Sequence, residues 1–298
     1  MRIEKLRPAF KDYIWGGERL KNEYGKICDL TPLAESWELS VHPDGEAKTR
    51  DGMPLSLSLT RADMGKNAAR HPVFPVLTKF IDAKDDLSVQ VHPSDEYAME
   101  KENSLGKTEM WYIVDAEEGA GIYLGMKKDV TKEEFIAAIN EKKLTKLLNF
   151  IKVKAGDCFF IPAGTVHAIG KGCLIYEIQQ NSNLTYRVYD YGRVGKDGKE
   201  RELHIDKAIE VATLTKYKPK KFEDGVLGSC EYFTARKYDI DGGRVLTATE
   251  QSFHAITVID GSGSVSGISF EKGDTLFVPA GHGKYEINGK AEVIITSV

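Results

Sequence analysis

No run of apolar residues in this 298-residue chain approaches the length of a membrane span. The opening stretch MRIEKLRPAFKDYIWGG likewise holds no apolar leader core. The sequence therefore reads as a soluble, cytoplasmic protein with no membrane partner. Cysteine is sparse: Cys28, Cys158, Cys173 and Cys230 lie far apart and form no C-x-x-C, so they read as free thiols in a reducing compartment. An excess of positive charge is also missing. Lys and Arg number 41 against 45 Asp and Glu, a net charge of −4, which gives no reason to expect nucleic acid or another extended polyanion as partner. A local basic cluster that suits a small phosphorylated substrate remains compatible with that balance. What is left is an ordinary globular composition, 41% hydrophobic and 29% charged, enough for one large or two modest domains.

Helical signals are few and short β-like runs dominate: Val76 to Ile81, Leu87 to Val91, Met110 to Val114, Gly121 to Leu124, Cys158 to Ile161 and Leu174 to Gln179. Gly, Pro, Asp and Asn punctuate them, as in a sandwich or barrel. The TKEE capping box at Thr131–Glu134 opens a run with Phe135, Ile136 and Ile139, then Leu144, Leu147 and Leu148, at helical spacing. A helical insertion over 131–150, closing one barrel end, is the expectation. Further helix is expected within Leu55 to Arg70 and over Asp206 to Leu214. A basic linker, Lys216-Tyr217-Lys218-Pro219-Lys220-Lys221, follows; a charge run of this kind is usually a solvated connector.

The most informative segment is Gly156 to His167, GDCFFIPAGTVH. An apolar run stops at Pro162, Gly164 allows a tight turn, and His167 follows three residues later. A buried strand that breaks there and presents an imidazole is one way for a small barrel to place a metal ligand on its inner wall. Upstream, Gln90 and His92 alternate in a strand-like run and so share a face. Glu109 opens another run, EMWYIV. Two imidazoles, a carboxylate and an amide oxygen form a shell that zinc, iron, manganese and cobalt all accept.

Beyond the linker the chain repeats itself. FEKGDTLFVPAGHGK (Phe270 to Lys284) lies over VKAGDCFFIPAGTVH, with Gly273 on Gly156, Asp274 on Asp157, Pro279 on Pro162 and Gly281 on Gly164. Lys284 falls on His167, and His254 on Glu109, so the copy is expected to have lost its metal shell. A protonated lysine repels a divalent cation. The fold expected is mainly β: two jelly-roll or β-barrel units with a small helical insertion. Residues 1–215 would form the catalytic domain and 216–298 a smaller, degenerate one.

The G-x5-P-x-G-x2-H spacing resembles the second conserved motif of the cupin superfamily. With WGG (Trp15 to Gly17), ESWELS, QVHP, KTEMWY, PAGTVHA and QQNSNLTYRVYDYGR in this order, nearly the whole chain resembles class I mannose-6-phosphate isomerases of the short bacterial form. The resemblance implies one Zn2+ per chain on His92, Glu109 and His167, with Gln90 as a fourth position. It implies an aldose–ketose isomerisation of mannose 6-phosphate to fructose 6-phosphate through an enediol, with a small sugar phosphate as partner. It further implies Lys107 as the group that moves the proton, with phosphate binding as its other reading, and Arg187 as a cation for the developing charge. An Arg187–Asp190 pair and a Lys107–Glu109 surface pair are the bland alternatives. Asn183 departs from the family pattern, where many relatives carry Asp at the place assigned to ring opening; an amide cannot accept a proton in that way. Two other functions fit part of the sequence: a metal-dependent cupin oxygenase, and a sugar-phosphate-binding protein without activity. The oligomeric state is not legible.

Overall fold

The computed structural model describes residues 2–195 and 198–298. Two facing sheets build the first unit. One has six strands in the order Cys158–Ile161, Glu109–Ala116, Cys173–Gln180, Val76–Ala83, Glu35–Leu39 and Ala9–Lys11. The other has five: Leu148–Lys152, Gly121–Met126, His167–Ile169, Val89–Val91 and Tyr186–Tyr189. Every strand pairing between them is antiparallel.

Alternation along the six-stranded sheet divides its side chains between two cores. Trp111, Ile113, Ile175 and Ile81 meet Ile122, Leu124 and Ile169 of the five-stranded sheet. Met110, Tyr112, Tyr176 and Phe80 point the other way and pack with Phe233, Phe253 and Phe277 of the C-terminal residues. Strands made almost wholly of buried residues are what a sheet covered on both faces demands.

The last sheet holds Thr275–Val278, His254–Val265, Gly283–Ser297, Thr234–Ala248 and Val226–Ser229 in that order, and Ile268–Glu271 pairs with His254–Val265. Its own core consists of Ile240, Ile256, Val258, Leu276, Val278, Ile287 and Val293. One strand crosses the expected division at residue 215. Glu4–Lys5, at the N-terminal end, pairs antiparallel with Thr275–Val278.

The helical insertion is shorter than its spacing suggests. Thr131 caps Lys132–Asn140 with the expected box, but Lys142 then adopts φ 56° and ends the helix. Leu144–Lys146 is a single 3-10 turn, and Leu148–Lys152 is a strand against Gly121–Met126. Phe135, Ile139, Leu144 and Leu148 still enter one core, so the apolar spacing records burial and not continuous helix. The other two helical expectations become Leu55–Ser58 with Arg61–Ala69, and Ile205–Val211. Among the described residues no helix is long and apolar enough to cross a membrane, and all four cysteines are free.

Candidate metal centre and active site

His92 leaves the end of the Val89–Val91 strand and His167 opens His167–Ile169. Glu109 opens the strand of the opposing sheet. Their ligand atoms lie within 4.8 Å of one another and all three residues are buried. The backbone fixes both rings. His92 Nδ1 is 2.8 Å from the Leu184 carbonyl and His167 Nδ1 is 2.8 Å from the Thr165 carbonyl. With each Nδ1–H donated to a carbonyl, each Nε2 lone pair faces Glu109, at 3.7 Å from Oε2 for His92 and 3.3 Å from Oε1 for His167.

With Glu109 ionised, that arrangement leaves acceptors opposed to acceptors. His92 Nε2 and Glu109 Oε1 are buried without a hydrogen-bond partner among the described residues. Orphaned buried acceptors are costly, and a cation between them removes the cost. The donor set therefore fits a divalent metal. Gln90 stands directly opposite His167 in the sheet, with its amide 3.3 Å from His167 Nε2. Rotation of that amide presents either its oxygen or its nitrogen to the same point.

Burial pushes the His167 imidazole down to about 4 and His92 well below the usual histidine range, so both rings are neutral and ready to bind. Glu109 moves the opposite way. Burial, then the nearby Glu177 charge, raise it to about 7, against the pull of Lys107.

Beside the triad runs a row of alternating charges. Lys107 Nζ is 2.8 Å from Glu109 Oε2 and 3.3 Å from Glu177 Oε1. Lys79 Nζ is 3.4 Å from Glu177 Oε1 and 3.2 Å from Glu35 Oε1. Two of these carboxylates also accept indole N–H groups: Trp111 on Glu177 at 2.9 Å, and Trp37 on Glu35 at 2.7 Å. Strand register explains the row, since Trp111, Glu177, Lys79 and Trp37 are successive cross-strand neighbours on four strands. Burial alone would raise Glu177, but Lys107 and Lys79 outweigh it and hold the carboxyl well below its ordinary range.

Lys107, Glu177, Lys79 and Glu35 line a cavity of about 230 Å³ that also takes in Gln90, Asn183 and Arg187. Arg187 is not tied to Asp190, whose carboxylate accepts from Arg193 and Arg201 instead. Its Nη1 donates to the Glu202 carbonyl at 2.9 Å, and its buried Nε has no partner among the described residues. Asn183 donates from Nδ2 to Asp44 at 2.9 Å. The Lys107–Glu109 pair of the bland alternative is present, but it is buried and not on the surface. Sequence reasoning missed Glu177, Lys79 and Glu35. Their signal was a charge beside apolar neighbours inside a strand-like run, as in IYEI of CLIYEIQQ and TKFI of VLTKFIDA.

The C-terminal copy reproduces the frame of the site. Cys158 pairs with Tyr112 and Ile161 with Glu109; in the copy Thr275 pairs with Thr257 and Val278 with His254. Gly156 and Gly273 both adopt φ 90°. Each donates to the facing strand at 2.9 Å, to Ile113 and Val258 respectively. His254 thus occupies the place of Glu109. Lys284 does not take the place of His167 as a side chain: it is exposed, and its neighbour Tyr285 turns inward, with its hydroxyl 2.6 Å from His254 Nδ1.

Comparison with known proteins gives one family. The model for "Phosphomannose isomerase type I, catalytic domain" matches residues 3–120, and that for "Mannose-6-phosphate isomerase, cupin domain" matches residues 225–298. Mannose-6-phosphate isomerase ManA of Bacillus subtilis is 40% identical, over 98% of this chain and 97% of its own. Mannose-6-phosphate isomerase of Streptococcus mutans is 39% identical, over 97% and 96%. The crystal structure of mannose 6-phosphate isomerase from Bacillus subtilis superposes with a TM-score of 0.90 at 36% identity, over all of both chains.

Proposed function

The chain belongs to the type I phosphomannose isomerase family, and on that premise we propose that it interconverts mannose 6-phosphate and fructose 6-phosphate. The observation that carries the reading is the buried Lys107, held between Glu109 and Glu177 at the edge of the metal triad. Aldose–ketose exchange needs a group that shuttles one proton between C2 and C1, beside a centre that tolerates negative charge on both oxygens. Lys107 Nζ would make the transfer, and its position 2.8 Å from Glu109 Oε2 supports that reading. Glu177 holds it there, and Lys79 with Trp111 holds Glu177. Arg187 remains protonated at neutral pH and offers an unengaged N–H to developing charge or to the phosphate.

His92, Glu109 and His167 would hold one zinc ion per chain, with Gln90 as a fourth position. Bound there, zinc acts as a Lewis acid that lowers the cost of negative charge on the C1 and C2 oxygens. Burial of both imidazoles and of Glu109 keeps water away from that charge. Asn183 gives one amide N–H to Asp44, which leaves its second N–H and its carbonyl oxygen to offer a sugar hydroxyl, and neither can act as a base. Ring opening is therefore assigned to another group or to the spontaneous reaction.

We take residues 1–215 as the catalytic unit and 216–298 as its supporting unit, with Glu4–Lys5 crossing between them. Free thiols fit a cytoplasmic setting. A coupled assay on mannose 6-phosphate, run before and after chelation and again with zinc restored, tests the reading. Turnover that is lost and regained supports it. Oxygen uptake with iron, or sugar-phosphate binding with no turnover under any metal, overturns it.

A further inference from the structure

On the far side of the metal loop lies a second and larger cleft, of about 810 Å³. Its walls bring together three lysines, Lys128, Lys216 and Lys218, and three threonines, Thr165, Thr213 and Thr215. Lys216 and Lys218 make no ion pair among the described residues, and Lys128 has only an exposed contact with Glu134 at 3.6 Å. The one acidic lining residue, Asp129, accepts the backbone N–H of Lys216 at 2.7 Å. Met126 and Tyr217 supply an apolar side. Tyr217 is fixed, because its hydroxyl donates to the Phe160 carbonyl at 2.9 Å and its stem closes on Gly125. Cations, hydroxyls and a rigid aromatic wall are the elements that recognise a phosphate ester with an apolar body.

The cleft also touches the metal site through one short loop. Ala163 and Thr165 line it. Between them Gly164 donates its N–H to the His92 carbonyl at 2.7 Å and accepts from the Thr213 N–H at 2.7 Å. Thr165 offers its carbonyl to His167 Nδ1. Two metal-facing histidines and the cleft thus share a single stretch of backbone.

We propose that this cleft is a second ligand site, for a phosphorylated small molecule of nucleotide size, and that its occupancy changes how firmly the loop holds His92 and His167. The sugar-phosphate cavity, at about 230 Å³, is too small for such a ligand, so the two sites separate by size. The site itself does not depend on the isomerase reading; the coupling depends only on a metal at the triad.

The test uses AMP as the probe on the metal-loaded full chain. Calorimetric titration should show AMP binding, weakened by roughly tenfold or more in the double variant Lys216→Gln/Lys218→Gln. Without AMP, that variant should keep its turnover of mannose 6-phosphate. The rate of metal loss to a chelator should change by about threefold or more on adding AMP to the parent protein and stay constant in the variant. Absence of AMP binding, equal binding in both proteins, or displacement of AMP by saturating mannose 6-phosphate overturns the site. Binding without any change in metal loss overturns the coupling.

Discussion

The two β units share a frame and differ in what fills it. At equivalent strand positions the first carries Glu109, Trp111 and Ile113, and the second His254, Ile256 and Val258. The first interior continues into Lys79, Glu177 and Lys107. The second is closed by aliphatic residues, with one histidine satisfied by Tyr285. The frame therefore folds without charges inside it. The buried carboxylates and ammonium groups of the first unit are an energetic cost that a hydrophobic interior avoids, and they persist where chemistry needs them.

The largest expected effect comes from removing what the second unit lacks. His92→Ala or His167→Ala should abolish stoichiometric metal and lower turnover roughly ten-thousandfold, while the fold persists on its own cores. Normal metal content with normal turnover in either variant ends the assignment. Lys107→Met should lower kcat about 100- to 10,000-fold with KM nearly constant. Arg187→Ala should lower it about 100- to 1,000-fold. Exchange of the substrate C2 proton with solvent deuterium separates them: it should vanish with isomerisation in the lysine variant and slow in step with it in the arginine variant. A rise in KM alone for Lys107→Met would move that residue to phosphate binding.

Another change tests the seam between the units. Lys26 Nζ lies 2.6 Å from Glu38 Oε1 and 2.6 Å from the Gly273 carbonyl, with both residues buried. Glu38→Ala strands the ammonium, and urea unfolding should show about 3–5 kcal/mol lost. Lys26→Met together with Glu38→Leu should recover most of it; equal losses in both would place the energy in packing and not in charge.

Smaller still is the proton count on metal binding. Both histidines are already neutral at pH 6, because burial lowers them, whereas Glu109 is raised to about 7 and holds its proton in the metal-free protein. Metal uptake should release about one proton at pH 6 and progressively fewer towards pH 8, as calorimetry in buffers of different ionisation heat reads out. Release of two at pH 6 would mean that the histidines titrate. The smallest effect expected is none: Lys284→His should not give the second unit a metal, since residue 284 faces solvent.

Motifs that mark a change of backbone direction were legible. Pro162, Gly164 and His167 announce a turn and a buried imidazole in one line of sequence. The repeat was legible for the same reason, through its glycines and its prolines. Glu177, Lys79 and Glu35 were not singled out, because their meaning lies in register: only the pairing of four strands turns scattered charges into a row. The 131–150 segment shows the complementary failure. Leu144 and Leu148 keep a helical interval although a 3-10 turn and a strand carry them, and only the left-handed Lys142 reports the break. The slip from Lys284 to Tyr285 in the copy was hidden likewise, since alignment by spacing does not reveal which side chain turns inward.

The pairing of Glu4–Lys5 with Thr275–Val278 bears on the order in which the molecule can be made. A ribosome delivers the first of these strands well before its partner, because most of both β units lies between them. The first barrel can close while later residues are still emerging, but the last sheet cannot be completed until Thr275–Val278 is present. Loop-closure entropy grows slowly with length, yet it must be met before the contact repays it. Until then the edge of the N-terminal strand stays open, and that nascent stage is where a chaperone or a stray strand has its opportunity.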